Sequence, residues 1–206
     1  MLFWVLVAVA FGQEHAALFV GNSYTAFNGP DNLAGSYKNL LEEGVPSWEP
    51  LEIHSHAPGG VSFEGHLEAA QGSGPLHDYL TGDSGVAQWD VVVLQDQSQV
   101  PSFPQDQPTY AASRAAVVSL AEMVVAMGGT PHLFQTWGRR NGDAQNEWLN
   151  PDFSTMQQNL VEGYAGYAEA IEAAGMAVQV IPVGQGWQRV HDDLVAAGVD
   201  PTVGDT

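Results

Sequence analysis

The sequence contains no cysteine. This absence excludes disulfide bonds, a thiolate nucleophile and any zinc site built on cysteine ligands. It does not indicate a cellular compartment, because secreted proteins can also lack disulfides.

Basic residues are scarce. Five Lys and Arg residues stand against 24 Asp and Glu residues, which gives a formal net charge of −19. Such a surface repels the phosphate backbone of nucleic acids and the anionic face of membranes. The composition therefore predicts a protein with no nucleic-acid partner.

Long hydrophobic runs are also missing, apart from residues 2–11. That run is too short to cross a bilayer as a helix, so we expect no stable membrane span. It resembles the apolar core of a signal peptide, with a cleavage site near Ala8-Val9-Ala10, although no basic residue precedes it. We expect residues 1–15 to comprise a signal peptide and the mature N-terminus of a secreted or periplasmic protein. The alternative is a buried first strand.

Residues 16–206 are predicted to form one domain, because 45% hydrophobic residues over this length suffice for a single core. Apolar runs predict five strands: Ala16–Val20, Leu51–His56, Trp89–Leu94, His132–Gln135 and Ala177–Ile181. Helical periodicity and capping residues predict six helices: Pro30–Glu43, Ser62–Ala70, Pro75–Leu80, Pro108–Met127, Ser154–Ala174 and Gln185–Ala197.

This alternation predicts an α/β fold of three layers, α/β/α, around a parallel five-stranded sheet. In such a sheet, the residues that follow the strands meet at one edge, where ligands bind. The residues expected at that edge are Ser23, Gly60, Gln97, Trp137 and Gly184.

A serine at this edge can act as a nucleophile if a base removes its proton and donors hold the oxyanion. The N–H groups of Ser23 and Gly60 are candidate donors, together with the side-chain amide of Gln97 or, less favourably, Gln95. Strand ends also carry Gly, Asn and Ser simply because these residues form turns. The Gly-x-Ser-x-Gly motif of α/β-hydrolases is absent.

Three segments resemble the conserved blocks of the SGNH hydrolases, the GDSL-like esterases. They are Gly21-Asn22-Ser23-Tyr24-Thr25, Gly59-Gly60 and Leu94-Gln95-Asp96-Gln97-Ser98. The resemblance implies flavodoxin-like topology and ester hydrolysis without a metal or other cofactor. It makes Ser23 the nucleophile and Gly60 an oxyanion donor, with Gln97 replacing the family's asparagine.

The resemblance also implies a small-molecule or carbohydrate ester as the substrate, and an acetylated carbohydrate is the preferred class. The further residues expected to contact this substrate are Asn22, Gln95, Trp137 and Arg139. Trp137, Trp148 and Trp187 could stack on sugar rings, or could simply cap the core. Arg139 and Arg140 could hold an anionic group, or could pair with nearby carboxylates.

The family's last block, Asp-x-x-His, does not occur after the fifth predicted strand. This block supplies the general base and the aspartate that orients it. We expect it to lie beyond Thr206, so that residues 16–206 are an incomplete domain. The alternatives are a base elsewhere, such as His191 on the last helix, or a protein that is not a hydrolase.

Other readings remain open. A flavodoxin-like domain could bind flavin or phosphate through Ser23, Thr25, Asn28 and Gly29, and an inactive relative would do neither. His54 and His56 share a strand face and could bind a metal with His66. The triplet Gly82-Asp83-Ser84 matches the family motif literally, but no strand precedes it, so we predict a turn.

Overall fold

The structure is a computed structural model that describes residues 15–27, 32–45, 48 and 51–202. The apolar run at residues 2–11 lies outside this part of the chain, as do Asn28, Gly29 and Pro30. The predictions of a signal peptide and of a helix start at Pro30 therefore fall on residues that the structure does not describe.

A single sheet of five parallel strands organises the described residues, in the order β2-β1-β3-β4-β5. The strands are β1 (His15–Val20), β2 (Leu51–His56), β3 (Val91–Leu94), β4 (Thr130–Phe134) and β5 (Gln179–Ile181). Val20 is in register with both His56 and Leu94, so the first three strands end side by side. This is the flavodoxin-like order that the resemblance implies.

Helices connect the strands. They are α1 (Ser23–Ala26), α2 (Leu33–Gly44), α3 (Phe63–Gln71), α4 (Pro75–Thr81), α5 (Pro108–Ala126), α6 (Phe153–Ala173) and α7 (Val183–Ala196). A short 3-10 turn at Val100–Ser102 follows β3. The structure confirms the predicted three-layer α/β/α class.

Two apolar clusters form the core, one on each face of the sheet. The larger joins alternate strand residues, including Leu18, Val92 and Leu133, to α3, α4, α5 and α6. The smaller joins Phe19 and Val93 to α2 and the first residue of α7. β3 lies in the centre and is buried on both sides, as its unbroken valine run predicts.

Element boundaries differ from the predictions in a few places. Helix α6 begins at Phe153 because the side chain of Asp152, not Ser154, caps it by accepting a hydrogen bond from the N–H of Thr155. In α2, helical spacing puts Leu40 on one face with Leu33 and Tyr37, but the side chain of Leu40 is 69% exposed. Helix α7 starts two residues earlier than predicted, at Val183.

Helix α5 is the one described helix that is long and apolar enough to cross a membrane by length and composition. Seven of its residues are fully or almost fully buried within the protein, among them Tyr110, Val117 and Leu120. It packs against α3, α6 and β4. Its apolar character is therefore accounted for by its place in the core.

Candidate active site

Ser23 lies at the carboxyl edge of the sheet, as the sequence predicts. It is the first residue of α1, three residues after the end of β1, and it is exposed. The chain leaves β1 toward β2 on one side, while β3 lies on the other, which makes this the crevice where doubly wound sheets bind ligands. The hydroxyl of Ser23 has no hydrogen-bond partner among the described residues.

Asn22 joins three loops at this edge. Its Nδ2 donates to the carbonyl of Val61 at 3.2 Å and to the carbonyl of Asp96 at 3.1 Å. Its Oδ1 accepts from the N–H of Tyr24 at 3.1 Å and so caps α1. The side chain is 2% exposed. Asn22 was predicted to contact substrate, but its contacts make it a residue that positions Ser23.

Gln95 is also held by hydrogen bonds, beneath the loop that carries Ser23. Its Oε1 accepts from the N–H of Asn22 at 3.0 Å and from the hydroxyl of Thr25 at 2.9 Å. The side chain is 0% exposed, so it does not reach a ligand in the crevice. The predicted role of Gln95 in substrate binding is therefore replaced by a structural one.

Gly21 allows these contacts because it has no side chain. A Cβ at this position would clash with the hydroxyl oxygen of Thr25 and would lie 2.7 Å from Oε1 of Gln95. We expect Gly21→Ala to shift the loop and to cost about 1–3 kcal/mol of unfolding free energy, which urea denaturation measures.

Gly44→Ala is the matched control, because no atom lies within 4 Å of a Cβ built there. Its effect on unfolding should stay within about 0.5 kcal/mol. A Gly21→Ala protein with the stability of the wild type would contradict the close packing of this loop.

Gly60 follows β2 and lies in an exposed turn with φ of +74°. A residue with a side chain is strained in this left-handed conformation, so glycine fits the position. The N–H groups of Gly60 and Ser23 make no hydrogen bond with the described residues. Both remain able to donate to a ligand.

Gln97 is partly exposed and is held within its own loop. Its Oε1 accepts from the N–H groups of Gln99 at 2.6 Å and Val100 at 3.2 Å. Its Nε2 donates one hydrogen to Oε1 of Gln99 at 3.0 Å. Because an amide nitrogen carries two hydrogens, one remains for a ligand.

Asp96 is fully buried between these loops and accepts four hydrogen bonds, a role that the sequence did not predict. Its Oδ1 accepts from the N–H groups of Phe63 at 2.9 Å and Gln97 at 2.8 Å. Its Oδ2 accepts from the hydroxyls of Ser113 at 2.6 Å and Tyr167 at 2.8 Å. Complete burial raises the pKa of Asp96, and the hydrogen bonds oppose that rise.

Three aromatic side chains, called here the aromatic wall, pack in a row near the loop of Ser23: Tyr24, Trp137 and Trp187. The ring of Tyr24 stacks on Trp137 with centroids 4.8 Å apart and planes 13° apart. Trp137 in turn lies 5.6 Å from the ring of Trp187 on α7. Trp137 was predicted to contact substrate, and the structure packs it against Tyr24, the residue that follows the candidate nucleophile. Trp148 is 72% exposed and has no part in this wall.

Arg139 was predicted to contact substrate, but the structure shows it paired. Its guanidinium donates to Oδ1 of Asp143 at 2.9 Å and to the hydroxyl of Ser98 at 3.0 Å. Burial works to raise the pKa of Asp143, but hydrogen bonds, chiefly from Asn146 and Gln99, outweigh it and lower the pKa. Arg139 therefore ties the loop after β4 to the loop after β3.

The histidines do not form the predicted cluster. The His56 and His66 rings are 5.6 Å apart, whereas His54 lies 3.0 Å from Glu52. Burial, with His56 nearby, lowers the pKa of His66 to about 4, which keeps its ring neutral. Within the described part of the chain, the one group close enough to share an ion is His77, Asp78 and Asp83, on and after α4.

His191 was considered as an alternative base. Its ring stacks on Phe153 at 4.4 Å, and its Nδ1 lies 3.2 Å from a carboxylate oxygen of Asp192. The structure gives it no hydrogen bond to Ser23. The described residues therefore do not bring these two side chains together as a catalytic pair.

The structure also bears on two other hypotheses from the sequence, the Gly82-Asp83-Ser84 turn and phosphate binding by Thr25. Gly82-Asp83-Ser84 forms the predicted turn, with Gly82 at φ of +88°. Ser84 lines a cavity with His15 and Asp90, at the opposite edge of the sheet from Ser23. In the phosphate-binding reading, the Thr25 hydroxyl would face a ligand, but it is buried and donates to Gln95.

Comparison with known proteins supports the fold. The sequence matches no protein-family profile, and no curated protein is detectably similar to it. Among solved structures, it is similar to a protein from Slackia heliotrinireducens assigned to the SGNH hydrolases. That match has 24% identity and a TM-score of 0.54, and covers 81% of this chain and 78% of that one.

Two further structures are similar over most of the chain. A protein from Parabacteroides merdae assigned as a GDSL-like lipase is 14% identical, with a TM-score of 0.59 and coverage of 95% of this chain and 90% of that one. An acetyl xylan esterase is 11% identical, with a TM-score of 0.61 and coverage of 90% and 85%. At these identities the likeness shows a shared fold.

Proposed function

We propose that this chain, which has the fold of the SGNH hydrolases, is a serine esterase that hydrolyses carboxylic esters. The observation that carries the proposal is the placement of Ser23. Ser23 is exposed at the carboxyl edge of the sheet, on a loop that hydrogen bonds of Asn22 connect to the two neighbouring loops. A serine that only formed a turn would not need this support.

In the proposed mechanism, Oγ of Ser23 attacks the acyl carbon and a general base takes its proton. The free N–H groups of Ser23 and Gly60, with the remaining hydrogen of the Gln97 amide, donate to the oxyanion. The base returns the proton to the leaving alcohol, and water then hydrolyses the acyl-enzyme.

The proposed substrates are acetyl esters of carbohydrates. Tyr24, the residue after Ser23, stacks on Trp137 and both are partly exposed, and aromatic side chains of this kind pack on the apolar face of a sugar ring. The acetyl xylan esterase with this fold acts on a substrate of this class, as its name states. No metal or cofactor takes part in the proposed reaction.

A serine-directed fluorophosphonate tests the proposal without assuming a substrate. We expect one phosphonyl group to be added per chain, and peptide mass spectrometry should locate it on Ser23. Ser84→Ala should be labelled like the wild type, because Ser84 lies at the other edge of the sheet. Labelling that persists in Ser23→Ala, or no labelling of the wild-type protein, would contradict the assignment.

A further inference from the structure

A second cavity adjoins the aromatic wall. It has a volume of about 310 Å³ and lies between the loop after β4 and helix α7. Its apolar lining includes Trp137, Trp187, Phe153 and Leu194. Trp137 also stacks on Tyr24, the residue that follows Ser23, so the ring of Trp137 links the cavity to the loop that carries the candidate nucleophile. Its volume suits one ring of a ligand.

Arg140 gives this cavity its charge. It is exposed, it lines the cavity, and it forms no ion pair with any carboxylate of the described residues. Arg139 also lines the cavity, but its guanidinium is paired with Asp143. The nearby carboxylate of Asp152 is engaged by the N–H of Thr155 at the start of α6. Arg140 is therefore available to a ligand.

The charge of the rest of the protein makes this position distinctive. With a net charge of −19 and only five basic residues, the chain repels anions over most of its surface. A guanidinium without a carboxylate partner, beside an aromatic cavity, is the arrangement that recognises a planar ring bearing a carboxylate. A neutral ring would need the aromatic lining but not the cation.

We infer that this cavity binds the alcohol portion of the ester, and that Arg140 selects alcohols whose ring carries a carboxylate. The inference rests on the proposed function, because it takes Ser23 as the nucleophile that cleaves the ester. It extends that function by naming an anionic ring as the substrate class and Arg140 as the residue that determines specificity.

A matched pair of acetyl esters tests the inference. Para-acetoxybenzoate carries a carboxylate on the ring, and para-acetoxybenzamide carries a neutral amide of similar size. We expect the wild-type kcat/KM for the benzoate to be about tenfold higher than that for the benzamide. The free energy that corresponds to a tenfold ratio lies between those of an exposed ion pair and of a charged hydrogen bond. Arg140→Gln should abolish this preference, so that the two esters are hydrolysed with equal kcat/KM.

Arg189→Gln is the control for net charge. Arg189 is exposed on α7 but does not line the cavity, so this variant removes the same charge elsewhere and should keep the preference. Equal kcat/KM values for the two esters in the wild type, or an equal loss of preference in both variants, would overturn the role of Arg140.

A binding measurement separates this inference from the proposed function. Trp137 and Trp187 line the cavity, so para-hydroxybenzoate should quench tryptophan fluorescence in Ser23→Ala, and Arg140→Gln should weaken that binding about tenfold. Quenching without hydrolysis by the wild type would contradict the esterase function and support ligand binding in the cavity. Hydrolysis of both esters without Arg140-dependent quenching would contradict the binding role of the cavity and support the esterase function.

Discussion

Ser23→Ala should lower kcat/KM for para-nitrophenyl acetate by about four orders of magnitude or more, because removing a serine nucleophile leaves only binding and oxyanion stabilisation. That loss corresponds to about 5.5 kcal/mol of transition-state stabilisation. Stability should change by less than about 0.5 kcal/mol, since Ser23 is exposed and its hydroxyl has no described partner. Steady-state kinetics and thermal unfolding measure the two quantities.

Ser84→Ala is the matched control for this prediction. Ser84 belongs to the literal Gly-Asp-Ser triplet, yet it lies in a turn at the amino edge of the sheet. Its replacement should leave kcat/KM unchanged. If Ser23→Ala retained wild-type turnover, or if Ser84→Ala were the inactive variant, Ser23 would be removed from the mechanism.

Asp96→Ala should produce the largest loss of stability, about 3 kcal/mol or more of unfolding free energy. It leaves two N–H groups and two hydroxyls without their common acceptor, at a position with no solvent exposure. For a domain of this size, the melting temperature should fall by about 6–12 °C. The segments after β2 and β3 should also become more mobile, because the N–H groups of Phe63 and Gln97 lose their hydrogen-bond acceptor.

Asp96→Asn separates hydrogen bonding from charge. The amide oxygen can still accept from the N–H groups of Phe63 and Gln97, and the hydroxyls of Ser113 and Tyr167 can turn to accept from the amide nitrogen. Burial already raises the pKa of Asp96, so the neutral residue should lose only about 1 kcal/mol.

Asp106→Ala, at an exposed position, is the control and should stay within about 0.5 kcal/mol of the wild type. Thermal and urea denaturation of the three variants give the ranking. If Asp96→Ala unfolded no more easily than Asp106→Ala, Asp96 would not be the shared acceptor of these loops.

Much of the fold follows from local pattern. The valine run of β3 predicts a central buried strand, and the alternation of strands with helices predicts a parallel sheet. The edge at which Ser23 and Gly60 lie follows from the same pattern, because all parallel strands end on one side. Helix ends were less certain, since Asp152 and Ser154 are both good caps and only the backbone geometry selects one.

The roles of the polar side chains depended on contacts between residues far apart in sequence. Asn22 and Gln95 have the same polar chemistry as ligand-binding residues, but burial commits them to neighbouring loops. Asp96 receives hydrogen bonds from α3, α5 and α6, and no local pattern predicts that convergence.

Arg139 and Arg140 illustrate the division most directly. The sequence determined that a pair of rare cations follows the fourth strand of an acidic protein, and it left open whether they bind a ligand or a carboxylate. The tertiary structure decided between them: it places Asp143 against Arg139 and leaves Arg140 beside an aromatic cavity. Composition and periodicity report what a segment can form, whereas the partner of each polar group is set by which segments the fold brings together.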